Sequence, residues 1–524
     1  MLSGGLPATN GVREMLLGVH PRMVHIHPGL TSLWASFLNL HAVTVALEQQ
    51  GIDHFAVRGL EYTIPVVGVS ESDQPRALRA LRRLCQESQA YVSSVLPRPS
   101  TDRSPRSALD PGVWRDVAGA KVIRLTWFRT DPSGNLPYGD DHGCEVEFWH
   151  PDAGLGQLVA PRANLLAPSV PLNGSSMQAP GDTFIGLASR GRAVLPVVRT
   201  RPELAVSPME DIQFPIDVVY TWVDGSDPEW LRQRAKVGAR AYHPEADNPA
   251  RYINRDELRY SLRSLHMFAP WVRNIYIVTA DQSPEWIDLT PPNISLVSHR
   301  EIFSDPSALP TFNSRAIESQ LHHIDGLSEH FLYLNDDMFF ARPVPPSLFF
   351  LANGLSKFFL SKNRVPLGAP SKDVTPVQAG AMNNRALIER TFGRTLTRTT
   401  LHAPYPLQRR ILSEIEQAFP DEHRATMMSR LRDLHTITVA SSLHHYYAYY
   451  SGHAIPGELS YGYIRLDIPN LKRHLDRALA RRDFDTLCLN DSGSSEDEVE
   501  AQNGVLKPFL EAYFPVASPY EKHG

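Results

Sequence analysis

Apolar residues along the first third of the chain fall into short runs, and each run predicts an element. Thr31 to Gln50 suits a helix that Gly51 stops. His54-Phe-Ala-Val-Arg and Tyr62-Thr-Ile-Pro-Val-Val-Gly-Val then read as two strands. Gln74 to Ser88 repeats Leu78, Leu81 and Leu84 at helical spacing with arginines between, completing a βαβ-like opening. Pro97 to Arg106 is a loop by composition. Lys121 to Arg129 and Glu145 to His150 alternate as strands, whereas Asn164 to Gln213, rich in Pro, Gly and Ser, reads as a poorly structured join. Residues 1–200 are therefore expected to form a separate α+β domain, with 201–213 as a linker.

At Phe214 the pattern changes. Ile216 to Val223 is a β-branched and aromatic run, ended by the turn chemistry of Asp224-Gly-Ser-Asp-Pro. Asp256 to Phe268 predicts a helix with Leu258, Leu262 and Leu265 on one stripe, and Pro270 ends it. Asn274 to Thr279 and Asn293 to Val297 are further strands. Arg315 to Leu327 predicts a helix that delivers the chain to the buried strand Phe331-Leu-Tyr-Leu, and Pro406 to Phe419 another, with Leu407, Ile411, Ile415 and Phe419 packing. Alternating strands and helices of these lengths predict a parallel or mostly parallel α/β sheet with helical insertions over 214–524. In such sheets ligands sit beyond the carboxyl ends of the strands.

Asn335, Asp336 and Asp337 arrive together at one such end. Two adjacent carboxylates beside aromatic rings cost several kcal/mol per charge unless a cation neutralises them. A hard divalent ion with oxygen ligands is the simplest such cation. The plainer alternative is a turn or a helix cap. Asp224 ends a second strand, so both ends can face one crevice, which favours the metal. No P-loop and no Gly-x-Gly-x-x-Gly follows any of these strands. Elsewhere Asp140, Asp141, Glu145 and Glu147 offer a second acidic group, for which an exposed strand face is the better explanation than a metal site.

Composition narrows the function. The 524 residues are too many for one core, and a 42% hydrophobic, 21% charged chain is a soluble globular one. A net charge of −5 gives no field to hold a nucleic acid. Three unpaired-looking cysteines fit a reducing compartment. The start has no signal-peptide pattern, and Leu33 to Leu47 carries Asn39 and His41 and is too short to span a bilayer. A cytoplasmic protein is expected, with room for a peripheral contact at the inner face of the membrane.

Four ordered blocks then carry a resemblance: Phe214-Pro-Ile-Asp-Val-Val-Tyr-Thr-Trp-Val-Asp-Gly-Ser-Asp-Pro; Arg255-Asp-Glu-Leu-Arg-Tyr through Tyr333-Leu-Asn-Asp-Asp-Met; Leu401-His-Ala-Pro through Arg432 to Tyr446-Tyr-Ala-Tyr-Tyr; and Cys488-Leu-Asn-Asp-Ser with the closing Tyr513-Phe-Pro-Val-Ala-Ser-Pro-Tyr-Glu. The chain resembles the Stealth family of capsular and exopolysaccharide phosphotransferases, to which the animal GlcNAc-1-phosphotransferase is distantly related. The resemblance covers Phe214 to Glu521 and implies a nucleotide-sugar-binding fold of the GT-A type. It implies transfer of a sugar-1-phosphate from a nucleotide sugar to a glycan hydroxyl, with Mg²⁺ or Mn²⁺. By the same resemblance Asp336, Asp337, His402 and Arg432 are catalytic, and Tyr220, Thr221, Trp222, Asp224, Arg255 and Asn335 contact the nucleotide sugar. Asp336 and Asp337 would hold the metal. Asp491, in an acidic segment from Asn490 to Glu500, is a second ligand or a substrate contact; Asp224 stands where the animal enzyme has Asn, as metal ligand or ribose and base contact. The rival readings are an ordinary glycosyltransferase on the same fold and a non-catalytic glycan-binding protein.

Overall fold

A computed structural model describes residues 10–96, 104–188, 195–238, 254–491 and 496–522. Most of the loop Pro97 to Arg106, and residues 492–495 of the acidic segment, lie outside the described residues. The chain forms two compact units: one of residues 1–211 with 266–271 and 512–517, the other of 212–265, 272–511 and 518–524. No helix among the described residues is long and apolar enough to cross a membrane.

The first unit is a mixed sheet with helices. Its central strands, His54–Val57, Val66–Ser70, Cys144–Asp152, Val122–Thr126 and Tyr91–Leu96, lie side by side in that order. The helix Ser32–Gln49 sets Phe37, Leu40, Val43 and Leu47 into one core with Val67, Val69, Ile123, Val146 and Phe148. The expected join over 164–213 is ordered over its described residues, 164–188 and 195–213. Ser169–Pro171, Met177–Pro180 and Val197–Thr200 are short strands, and Arg58 clamps Asp211 at 2.7 and 2.5 Å. Proline and glycine misled the sequence reading because short outer strands tolerate them where a central strand would not.

The acidic group of this unit is also not what the pattern predicted. Glu145 and Glu147 share a strand face, but they are 3% and 1% exposed rather than solvated. Arg162 bridges both, Arg124 adds a bond to Glu145 at 2.6 Å, and Asp140 accepts from Arg124 at 2.8 Å and Thr126 at 3.0 Å. Asp141 stands 2.9 Å from Nδ1 of His142. Burial still pushes Glu147 above its ordinary range, with Arg162 pulling against it. The fold supplies the cations for these carboxylates.

The second unit is built on strands β1 (Ile216–Thr221), β2 (Ile275–Thr279), β3 (Ile294–Ser298), β4 (His330–Asn335) and, after the short β5 (Met338–Phe340), β6 (Tyr405–Gln408). The sheet order is β3-β2-β1-β4-β6; the first four are parallel and β6 runs antiparallel to β4. Val218, Val219 and Tyr220 of β1 and Phe331, Leu332 and Leu334 of β4 are wholly buried, which is why these strands read as continuous apolar runs. The chain leaves β1 toward β2 and β3 on one side and returns to β4 on the other. That reversal opens a crevice beyond the carboxyl ends of β1 and β4, where Thr221 pairs with Asn335. A smaller sheet of β5, β7 (Tyr461–Arg465) and β8 (Thr486–Asn490) continues the wall, in the order β5-β8-β7.

Two predicted helices differ from the fold. Arg315 to Leu327 is helical only over Ser314–Glu318, then re-forms as a 3-10 turn at Leu321–His323. Ser319 caps backward onto the Ala316 carbonyl at 2.8 Å, and Gly326 at φ +74° reverses the chain. Pro406 to Phe419 is a helix only over Arg409–Ala418; before it Tyr405–Gln408 is the edge strand β6, where Pro406 has no donor to lose.

Candidate active site

The crevice encloses about 1410 Å³, and its floor is the turn between β4 and β5. Asp336 and Asp337 are that turn, so the plain reading and the chemical one describe the same two residues. Pairing of Met338 with Cys488 draws β8 alongside, and the Leu489 amide donates to the Asp337 carbonyl at 3.0 Å. Asn490 Nδ2 then stands 3.3 Å and the Cys488 thiol 3.5 Å from Asp337 Oδ2.

The other oxygen, Asp337 Oδ1, is buried without a hydrogen-bond partner among the described residues. His402 Nε2 lies 3.7 Å from it. His402 is itself held from behind: its Nδ1 is 3.0 Å from the Tyr405 hydroxyl, and Tyr461 donates to its carbonyl at 2.6 Å. Burial holds the Tyr405 phenol well above its ordinary range, so it stays neutral.

The electrostatics of the floor are unbalanced. Removal from water, then Glu257, then Asp337 push Asp336 well above the usual carboxylate range. Glu257 is also raised, by burial first. Burial raises Asp337 too, but the nearby His402 ring and the bonds from Asn490 and Cys488 outweigh it and hold its carboxyl low. Burial and the neighbouring Asp337 push the Cys488 thiol well above its ordinary range, so with no cation beside it the thiol stays protonated. What remains is a carboxylate-led donor set with one empty-handed oxygen. A hard divalent cation such as Mg²⁺ or Mn²⁺ fits it.

The walls are cationic and polar. Phe312 donates its amide to the Arg430 carbonyl at 2.8 Å and Asn313 Nδ2 donates to Ser429 at 3.0 Å, so the segment before Ser314–Glu318 carries the 429–432 loop. Arg432 thereby reaches the crevice, with its guanidinium on Ser314 Oγ at 2.8 Å. Lys362, Arg364 and Arg465 line the same space.

Of the residues singled out from sequence, Thr221, Trp222, Arg255, Asn335, Asp336, Asp337, His402, Arg432 and Asp491 line this crevice. Tyr220 does not. It points into the core, and its hydroxyl bonds Ser261 at 2.7 Å, so it supports the floor instead of touching a ligand. Asp224 does not either: its Oδ1 accepts from the Ser226 amide and hydroxyl at 3.0 and 2.6 Å, closing the turn after β1. Asp491 meets a guanidinium where a metal was expected, with Arg255 Nη2 at 2.6 Å, and Arg255 is further committed to Gln502 at 2.9 Å. Glu257, Asn490 and Tyr405 were not foreseen as site residues. Glu257, Tyr405 and Asn490 lie inside the second, third and fourth blocks, and that was their only signal.

Models for Stealth conserved regions 1, 2, 3 and 4 match residues 214–242, 251–358, 401–449 and 476–524. An exopolysaccharide phosphotransferase of Streptomyces coelicolor is 46% identical over 99% of this chain and 89% of its own. The exopolysaccharide phosphotransferase CpsY of Mycobacterium tuberculosis is 34% identical over 99% of this chain and 94% of its own. Among solved structures, a galactosyltransferase in complex with donor and acceptor sugar analogues aligns over 57% of this chain and 95% of its own, at 10% identity and a TM-score of 0.30. That likeness adds nothing to the topology read from the strands.

Proposed function

The chain belongs to the Stealth family, and from that we propose that it is an exopolysaccharide or capsular-polysaccharide phosphotransferase that moves a hexose-1-phosphate or N-acetylhexosamine-1-phosphate from a nucleotide sugar to a glycan hydroxyl. The observation that carries this reading is the unpartnered Asp337 oxygen, 3.7 Å from His402 Nε2 on the floor of a crevice with arginine in its wall.

Phosphoryl transfer is mostly positioning and charge stabilisation. Asp336 and Asp337 would hold Mg²⁺ or Mn²⁺, which supplies the positive charge a diphosphate needs on such a floor. His402 takes the proton of the acceptor hydroxyl. In the tautomer that donates Nδ1–H to Tyr405, Nε2 keeps its lone pair, and the imidazolium formed by proton uptake lies beside Asp337. Arg432 offers its planar donors to the phosphoryl oxygens, steadied by Ser314. The hydroxyl oxygen bonds to the phosphorus nearest the sugar, the bridging P–O bond to the nucleotide breaks, and nucleoside monophosphate leaves. The sugar C1–O bond is untouched, so anomeric configuration is kept.

Incubating enzyme, divalent metal, nucleotide sugar and glycan, then identifying the released nucleotide, tests the reading. Monophosphate is expected. Diphosphate would make the protein an ordinary glycosyltransferase, and no release with any donor would leave a glycan-binding protein.

A further inference from the structure

A second group of ligand-type side chains lies outside the crevice, on the turn that precedes β4. His322 and His323 both address Glu416, on the helix Arg409–Ala418: their Nε2 atoms are 2.7 and 3.2 Å from the same oxygen, Oε2. His423, on the helix Pro420–Met428, brings Nδ1 to 3.6 Å from the other oxygen, Oε1. Side chains of neighbouring residues on a regular helix do not face one another. The break after Glu318 is what lets His322 and His323 meet one carboxylate. His322 and His423 are buried, while the side chains of His323 and Glu416 are 29% and 31% exposed, so the group is reachable from one side.

The bonds behind the rings decide what the group can hold. His323 Nδ1 is 2.8 Å from the Ile302 carbonyl, and His423 Nε2 is 2.9 Å from that of Ser319. A carbonyl only accepts, so these nitrogens carry the proton, and in each neutral ring the opposite nitrogen turns a bare lone pair toward Glu416. Lone pairs aimed at a carboxylate repel unless a proton or a cation stands between them. A backbone carbonyl behind the imidazole is also the usual outer support of a metal-bound histidine. Donors around a tetrahedral zinc lie about 3.3 Å apart, from bond lengths of about 2.0–2.1 Å. The 3.2 Å separation already suits that, the 2.7 Å contact has to open, and His423 stands further off, against the other oxygen of Glu416.

We propose that His322, His323 and Glu416 form a site for a divalent transition-metal ion of the zinc class, separate from the crevice. Nitrogen-rich donors prefer such an ion to magnesium. The site would pin the turn between Ser314–Glu318, which positions Arg432, and β4, which carries the acidic floor.

The test uses the full chain stripped by a chelator and titrated with Zn²⁺ alone or Co²⁺ alone. One equivalent of zinc should bind and raise the thermal midpoint, and one equivalent of cobalt should give the visible absorption of a tetrahedral N,O site. Both effects should be lost in Glu416→Gln and in His323→Ala, the latter half-exposed and so the safer variant to fold, and retained in Asp337→Asn. The absence of a cobalt band in the unmodified chain overturns the proposal. So does a band that survives Glu416→Gln and His323→Ala, or one that disappears with Asp337→Asn, since either places the ion elsewhere.

Discussion

Each unit of the chain buries a cluster of carboxylates, and the two clusters differ in who answers the charge. In the first unit Arg162 binds Glu145 and Glu147 together, and Arg124 binds Glu145 and Asp140. In the second, Asp336 faces Glu257 and Asp337, and an oxygen of Asp337 has no hydrogen-bond partner among the described residues. Burial is common to both, so burial does not mark a site. An acid whose partner the fold has supplied is part of the scaffold; an acid set against other acids needs a cation from outside.

The largest effect expected from this difference is on turnover. Asp337→Ala should lower it by about 10³-fold or more, the equivalent of the several kcal/mol a bound metal contributes, with little change in the unfolding midpoint. Retained turnover would put the two clusters in one class. His402→Ala should slow transfer by roughly 10²–10⁴-fold while donor binding survives, as isothermal titration with a nucleotide sugar would show; a matching loss of binding would make His402 a donor contact and not a base. Arg162→Met probes the other cluster. It strands Glu145 and Glu147 without their shared cation and should cost roughly 3–5 kcal/mol in denaturant unfolding, yet leave the rate per folded molecule unchanged. A lower rate in the folded fraction would mean the first cluster does chemistry after all.

How much of this was legible in the sequence depended on how local the signal was. β1, β2 and β4 could be read because strands buried on both faces give uninterrupted apolar runs. Pro406 to Phe419 could not be divided correctly, since Leu407 satisfies a two-residue and a helical period alike. Period two put Glu145 and Glu147 on one face, but it chose solvent because their guanidinium partners Arg124 and Arg162 are 15 to 21 residues away. Asp336 and Asp337 were visible as acids at a strand end. His402 and Arg432 rested on the resemblance alone, since nothing local distinguishes a histidine before Ala403-Pro404 from a loop residue. Tyr220 and Asp224 came with the first block, and the structure turns Tyr220 onto Ser261 and Asp224 onto Ser226, because a block match carries wording and not the direction of a side chain.

Glu521 sharpens the comparison because it belongs to the second unit yet has the surroundings of the first. Its carboxylate receives Arg259 Nε at 2.6 Å and Arg263 at 2.8 and 2.7 Å. Burial works against its charged form, but the bonds from Arg263, the Ser518 amide and Arg259 outweigh it and hold the carboxyl down to about 2. An unfolded glutamate titrates near pH ~4.3. The folded group is the stronger acid, so the stabilisation is full above about pH 4.3 and is lost as the pH falls toward 2. Glu521→Gln should therefore cost roughly 2 kcal/mol at neutral pH and progressively less through that window, with the two proteins converging at its lower end. Unfolding curves at several pH values read this directly. A pH-independent difference would mean that Glu521 acts through packing, and that pairing with arginine does not by itself separate scaffold acids from site acids.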